Sequence, residues 1–319
     1  MLPNFIHAGV PKAASGTFEM IFRIHPEIFT TRAKELDFFN HEKNFAKGVN
    51  WYEENFFQNA SGLPVICDRS IGYSTGLALD VSRRVFEALG PNVKFLFILR
   101  HPVDRAYSQY CMARYKGQID RLPFSESVER AMSIGNEITD DDIRRLQSGS
   151  HYSNKRDLDI FRYCLYLETG LYSNTLAKFS RFFSSENILV LFVDDIVKDL
   201  QTEANKVFDF LAVARIDVGH IKKRNESQTL MRPAIKRFAN AFYGIRLVRY
   251  LLNSVISAQL RRGIKRLVLS NNYKKNTRVP RADLGTQIRL QKFYYSDIER
   301  TQLATGRDLS AWLNKYPTS

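Results

Sequence analysis

Apolar residues along this chain fall into short continuous runs, separated by longer stretches in which they recur at helical spacing. Asn4 to Gly9, Pro64 to Cys67, Val93 to Leu99 and Ile188 to Val193 are runs of strand length, as expected for strands covered on both faces. Thr17 to Ile24, Asp80 to Leu89, Phe161 to Phe183 (broken at Gly170) and Tyr294 to Trp312 carry the helical period, and Gly90-Pro91 is a stop signal. Trp51 to Phe57 predicts a short aromatic helix packed on the core. Strands alternating with helices predict an α/β fold with a central parallel sheet flanked by helices. Ligands of such sheets bind beyond the carboxyl ends of the strands.

No internal repeat or low-complexity linker divides the chain, which is read as one domain over residues 1–319. Residues 115–160 are a candidate acceptor-side insertion, and residues 233–292 a basic helical part. Leu122 to Ile143 is polar and weakly periodic, open to reading as a mobile lid or a plain surface helix.

The first strand runs into Gly9-Val10-Pro11-Lys12-Ala13-Ala14-Ser15-Gly16-Thr17-Phe18. Small residues between a strand and a helix let a phosphate approach the backbone and the free N–H groups of the helix start. Lys12 adds charge, and Ser15 and Thr17 add hydroxyl donors. The plainer alternative is an ordinary strand-to-helix turn with a surface lysine. A nucleotide-hydrolysing P-loop would carry its lysine just after the second glycine, whereas Thr17 follows Gly16 here.

The third run ends in Arg100-His101-Pro102-Val103-Asp104-Arg105-Ala106-Tyr107-Ser108. Pro102 suits a first helical turn. Arg100 then sits at a strand end and Ser108 two turns into the helix, a guanidinium fork and a hydroxyl able to grip a second phosphate. Arg105 is a candidate for a structural ion pair instead.

Composition narrows the classes. The chain has 319 residues, 44% hydrophobic, and a formal charge of +14 concentrated in the C-terminal third. Such a field attracts anions, although a merely solvated basic surface has the same composition. No run is long enough to cross a bilayer and no signal-peptide pattern opens the sequence, so a cytoplasmic location is expected. The basic C-terminal helix leaves room for weak membrane-surface contact. Cys67, Cys111 and Cys164 are expected to be reduced and mostly buried. No Cys/His spacing suggests zinc, no metal is expected, and no nucleic-acid signature is present.

The motif Pro11-Lys12-x-Ala14-Ser15-x-Thr17 resembles the 5′-phosphosulfate loop of sulfotransferases that use 3′-phosphoadenosine-5′-phosphosulfate (PAPS). Arg100-x-Pro102-x-x-Arg105-x-x-Ser108 resembles their 3′-phosphate motif. Lys34-Glu35-x-Asp37-Phe38-Phe39 is similar to the K-E-x-H-F-F segment of the heparan-type branch, with Asp37 at the family's histidine. Asp68-Arg69-Ser70-Ile71-x-Tyr73 resembles E-K-[ST]-P-x-Y, with Asp for Glu and Ile for Pro. Ile188 to Asp195 is similar to the family's strand ending in acids, read as structural tethers for the loop that follows. Gly306-Arg307-Asp308-Leu309-Ser310-x-Trp312 matches a common family ending.

This resemblance implies a P-loop-like sulfotransferase fold and a bacterial-type PAPS-dependent enzyme whose product nucleotide is 3′,5′-diphosphoadenosine. It implies Lys12 at the leaving phosphate and Glu35 as general base. Nucleotide contacts are implied for Lys12, Ala14, Ser15, Gly16, Thr17, Phe18, Arg69, Arg100, Ser108, Arg224 and Asn225. Arg232 lies in the same basic loop. Acceptor contacts are expected from Lys34, Asp37, Phe39, Tyr73 and His151. The acceptor is expected to offer a hydroxyl, with an amine as alternative, on a small secondary metabolite or a glycan. Two rival readings stay open: a P-loop-type kinase or NTPase, and a non-catalytic polyanion- or nucleic-acid-binding module.

Overall fold

Five parallel strands form the central sheet: β1 (Phe5–Gly9), β2 (Ile28–Thr30), β3 (Val65–Asp68), β4 (Lys94–Leu99) and β5 (Ile188–Phe192), in the order β2-β3-β1-β4-β5. The computed structural model describes residues 1–31, 33, 35–60, 62–117, 119–147, 154–221, 228–230, 273–275 and 282–317. Every residue of β1 and β3 is buried, as is all of β4 except Lys94. Burial on both sides explains why these strands are continuous apolar runs rather than alternating ones. β2 is three residues long, too short to leave a signal in the sequence.

Helices cover the sheet. α1 (Ser15–Ile24) follows β1, and α2 (Glu42–Phe45) and α3 (Gly48–Phe56) precede β3. α4 (Val81–Leu89) leads to β4, and α5 (Pro102–Cys111) leaves it. α6 (Phe124–Ile134), α7 (Asp140–Gln147) and α8 (Lys155–Arg162) come next, then a π-helical turn at Tyr163–Leu167 and α9 (Tyr172–Ser180). The stretch Leu122 to Ile143 holds α6 and the start of α7 and is more than a solvent-facing helix, since it buries Phe124, Val128, Ala131 and Ile143. Beyond β5 lie α10 (Val193–Lys198) and α11 (Leu200–Leu211).

The chain divides into two compact units. The first holds the sheet and the helices just named, together with α12 (Leu284–Thr305) and α13 (Ser310–Leu313). α12 begins ten residues before the start expected from its periodicity, capped by the Asp283 carboxylate, which accepts from the Thr286 N–H at 2.8 Å. The second unit comprises Cys111–Ile119 and Asn225–Arg281. Within it, β6 (Gln228–Leu230) pairs antiparallel with β7 (Tyr273–Lys275). Lys34, His151, Arg224, Asn225, Arg232 and most of the basic stretch 233–292 lie outside the described residues.

Candidate functional site

The carboxyl ends of three adjacent strands, β3, β1 and β4, release the Arg69, Lys12 and Arg100 motifs, and β2, next to β3, releases the segment that holds Glu35. After β1 the backbone makes two left-handed turns within three residues, at Lys12 (φ 75°) and Ala14 (φ 55°). Neither residue type favours that region, and such strain gathers at ligand-holding loops. In general, backbone that alternates in hand can point successive N–H groups into a concavity suited to anions. Helix α1 then opens at Ser15 with no side chain capping its first turn. A Cβ placed on Gly16 would meet no heavy atom of the described residues within 4 Å. Gly9 differs: a Cβ there would stand 1.8 Å from Ser74 Oγ, because the turn Ile71–Ser74 crosses directly against the end of β1. Phe18, by contrast with its small neighbours, turns its ring into the core beside Phe22 at a centroid distance of 5.8 Å.

The β4 exit meets this loop. Arg100 Nη1 donates to the Lys12 carbonyl at 3.3 Å. Arg100 is itself placed by Tyr172, whose hydroxyl donates to the Arg100 carbonyl at 2.6 Å. The next residue, His101, sits 3.1 Å from the Trp312 carbonyl through Nε2. Trp312 Nε1 donates to Asp194 at 2.7 Å, and Arg307 Nη2 to Asp195 at 2.8 Å. The acids after β5 are therefore tethers, and what they tie down includes the C-terminal motif, which in turn braces the Arg100 junction. Ser108 lies on α5, half-buried. Arg105 is fully buried, and its Nη2 donates to the carbonyls of Leu165 and Tyr166 at 2.9 and 2.7 Å. It braces the π-helical turn through carbonyls rather than through an ion pair.

Glu35 lies in the irregular segment after β2, with 34% of its side chain exposed. The Gly72 N–H donates to its Oε2 at 3.4 Å, and Arg69 Nη1 stands 3.8 Å from its Oε1. Desolvation dominates its titration and pushes the carboxyl up to about 7, against the pull of Arg69 and with help from the charges of Asp37 and Asp68. Arg69, 7% exposed, also lies 3.8 Å from Glu19 on α1. One guanidinium thus links the helix of the Lys12 loop to Glu35. The sequence reading did not single out Glu19, whose polar position in an amphipathic helix looks like any surface residue.

Of the expected acceptor contacts, Asp37 adopts φ 49° and accepts from the Asn40 amide at 3.1 Å within its own turn. Phe39 and Tyr73 are buried in an aromatic cluster with Phe38 and Tyr52, so their side chains hold the segment from inside. Cys67 and Cys164 are buried free thiols, and Cys111 is partly exposed. Among the described residues no three His, Cys, Asp or Glu side chains are grouped to hold a metal ion. No described helix is long and apolar enough to cross a membrane.

This geometry can be set beside known proteins. A solved sulfotransferase from Alicyclobacillus acidocaldarius superposes with a TM-score of 0.62 at 20% identity, covering 98% of this chain and 99% of its own, so the fold is shared. The membrane-associated sulfotransferase kil1 of Dictyostelium discoideum is 23% identical over 286 residues, 71% of this chain and 59% of its own length. Heparan sulfate glucosamine 3-O-sulfotransferase 5 of Mus musculus is 28% identical over 110 residues, 34% of this chain and 30% of its own. The human bifunctional heparan sulfate N-deacetylase/N-sulfotransferase 2 is 29% identical over 122 residues, 36% of this chain and 13% of its own. The matches span less than two thirds of these curated relatives. The profile of the sulfotransferase domain matches residues 2–229, the stretch that holds all five strands of the sheet and both the Lys12 and the Arg100 motifs, and the chain belongs to the sulfotransferase family.

Proposed function

We propose that the chain transfers a sulfuryl group from PAPS to an acceptor hydroxyl on a small metabolite or a glycan. The observation that supports this reading is the contact of Arg100 with the Lys12 carbonyl, which joins at one sheet edge the two motifs read as anion sites. A nucleotide phosphorylated at both ends of its ribose accounts for a pair of such sites. The residues fit it: a left-handed loop, an uncapped helix start, a glycine with open surroundings, and two cations.

In this reading the N–H groups from Ala14 to Phe18, with the Ser15 and Thr17 hydroxyls, hold the 5′-phosphate. Arg100 and Ser108 hold the 3′-phosphate. PAPS, when bound, supplies the sulfuryl group. Lys12 neutralises charge on the phosphate oxygen that leaves, and this electrostatic work dominates when positioning rather than covalent chemistry sets the barrier. Glu35 accepts the acceptor's proton at a carboxylate oxygen. A carboxyl titrating near 7 is a stronger base than an ordinary glutamate and is still half ionised at neutral pH. Arg69, between Glu19 and Glu35, keeps the base in register with α1.

The test is titration of the protein with 3′,5′-diphosphoadenosine and, separately, with ATP and magnesium, followed by an acceptor screen with labelled PAPS. Tight binding of the diphosphate nucleotide and label transfer to a hydroxyl are expected. Preference for ATP with magnesium would move the chain to the phosphoryl-transfer class. Binding of neither, with salt-steep binding of polyanions, would make it a binding module.

A further inference from the structure

Asp68 ends β3 and is fully buried. Three hydroxyls donate to its carboxylate: Ser70 at 2.6 Å, Tyr73 at 2.9 Å and Tyr52 at 2.5 Å. Two of these hydroxyls also accept. Ser70 Oγ takes the Leu36 N–H at 3.1 Å, and Tyr73 Oη takes the Phe39 N–H at 3.4 Å. The pinned amides lie in the segment that begins with Glu35, one of them on the very next residue.

The arrangement depends on the acceptor being a carboxylate. A hydroxyl has a single proton, and an ionised carboxylate can only accept. Burial raises the Asp68 carboxyl, and the hydroxyls of Ser70, Tyr52 and Tyr73 oppose that shift by favouring the ionised form; in that form the protons of Ser70 and Tyr73 are committed to it and their lone pairs are left facing the two backbone amides. A side chain able to donate would let the hydroxyls turn and lose that orientation. The aromatic packing acts in the same sense: Phe38 stacks on Tyr52 with ring centroids 4.2 Å apart and planes at 12°. The residues that contact the Glu35 carboxylate, Arg69 and Gly72, belong to the same segment as Ser70 and Tyr73. Backbone and side chain of the Glu35 segment are therefore referenced to one rigid element.

We propose that Asp68 is a positioning residue for Glu35, acting through the Ser70 and Tyr73 hydroxyls, an inference that rests on Glu35 being the base. A buried network serving the fold alone would lower stability without altering Glu35 in particular. The experiment is a carboxyl-carbon NMR titration of glutamate-labelled protein, with the Glu35 signal assigned by its loss in Glu35→Gln. It is run on the wild type, Asp68→Asn, Ser70→Ala, Tyr73→Phe and Tyr52→Phe, alongside PAPS turnover read as release of 3′,5′-diphosphoadenosine. The expected wild-type midpoint is near 7. Ser70→Ala and Tyr73→Phe, which remove no charge, are expected to lower it by roughly one unit or more, as a loosened carboxyl regains water, and to cut turnover about tenfold or more with nucleotide affinity unchanged; Asp68→Asn also removes a charge that helps raise Glu35 and is expected to lower it at least as far. Tyr52→Phe keeps the stacked ring and holds no loop amide, so its midpoint stays near that of the wild type.

Folded Ser70→Ala and Tyr73→Phe variants with unmoved midpoints overturn the proposal, whatever Asp68→Asn does. If Asp68→Asn does not fold, Ser70→Ala and Tyr73→Phe decide it. Full turnover by Glu35→Gln would remove Glu35 as base, and the midpoints would then report separately on whether Asp68 positions its carboxyl.

Discussion

The guanidinium of Arg100 is fastened to the main-chain carbonyl of Lys12 across 3.3 Å, joining the exits of β4 and β1. With this bond in place, the cation of one motif and the loop of the other cannot move independently. The Tyr172 hydroxyl and the Trp312 carbonyl hold the same junction from the far side.

Removing that cation should separate the two phosphates of the ligand. Arg100→Ala is expected to weaken binding of 3′,5′-diphosphoadenosine by about 2 kcal/mol or more, the scale of a charged hydrogen bond, and binding of 5′-AMP by much less. Calorimetric titration of both nucleotides measures this. Equal losses would mean that Arg100 does not read the 3′-phosphate.

The pH dependence of transfer should follow Glu35. Its carboxyl is raised, so the base is protonated and idle at low pH and becomes active as pH climbs through about 7. The acid limb of kcat/KM is expected there, well above the range of an ordinary glutamate. Glu35→Gln should cut turnover by roughly two orders of magnitude and flatten this limb, and Lys12→Ala should cut turnover comparably while the limb persists. A limb near pH 4 to 5 in the wild type would contradict the assignment.

Two buried histidines should make the fold sensitive to acid. Burial lowers His7 to about 3 and His101 to about 4 from an ordinary 6.5. Both are held neutral in the native state, so their contribution is intact above the unfolded value and drains away as pH falls from 6.5 toward 4 and 3. Buried carboxyls with raised values, Glu35 among them, act in the opposite sense, so the comparison is made within one pair of proteins. The ring nitrogens of His7 have no hydrogen-bond partner among the described residues, so His7→Leu should cost little at pH 7. Between pH 6 and 4 it should remove up to about 1.4 kcal/mol of stability loss per pH unit. Urea midpoints at several pH values test this, and parallel curves for the two proteins would count against it.

Arg105 shares a sequence motif with Arg100 but not its task. Its buried guanidinium supports the carbonyls of Leu165 and Tyr166, which also accept from the Tyr294 hydroxyl in the case of Tyr166. Arg105→Ala should lower stability by about 3 kcal/mol, leaving buried carbonyls with fewer donors. Affinity for 3′,5′-diphosphoadenosine in the folded fraction should change less than threefold. A large affinity loss at unchanged stability would return Arg105 to the phosphate site.

The strands β1, β3 and β4 were legible because burial on both faces writes itself as unbroken apolar sequence, and β5 because its run is equally apolar although Ile188, Leu189 and Val190 at this sheet edge are only half-buried. The Lys12 and Arg100 motifs were legible because each sets a distinctive spacing of residue types directly after an apolar run, at the ends of β1 and β4. Hidden from the sequence were the left-handed turns at Lys12 and Ala14, since neither residue advertises a positive φ. The partners of Asp68 were equally hidden, because Tyr52 and the Leu36 and Phe39 amides reach it only through the tertiary fold. Asp68 looked like a departure from a motif, and Phe39 and Tyr73 like acceptor contacts, until the aromatic cluster showed them facing inward. Asp194 and Asp195 were legible as tethers, but the loop that follows them was the partner in view, whereas Trp312 and Arg307 lie more than a hundred residues away in sequence.

Gly9 and Gly16 bracket the same loop for unrelated reasons. Bulk at residue 9 collides with Ser74, whereas bulk at residue 16 collides with nothing among the described residues. If the loop holds a nucleotide as proposed, a descendant freed of that task could drift at residue 16 while remaining bound to glycine at residue 9. The loop would outlive its occupation, and its shape alone would be poor testimony that the occupation continues.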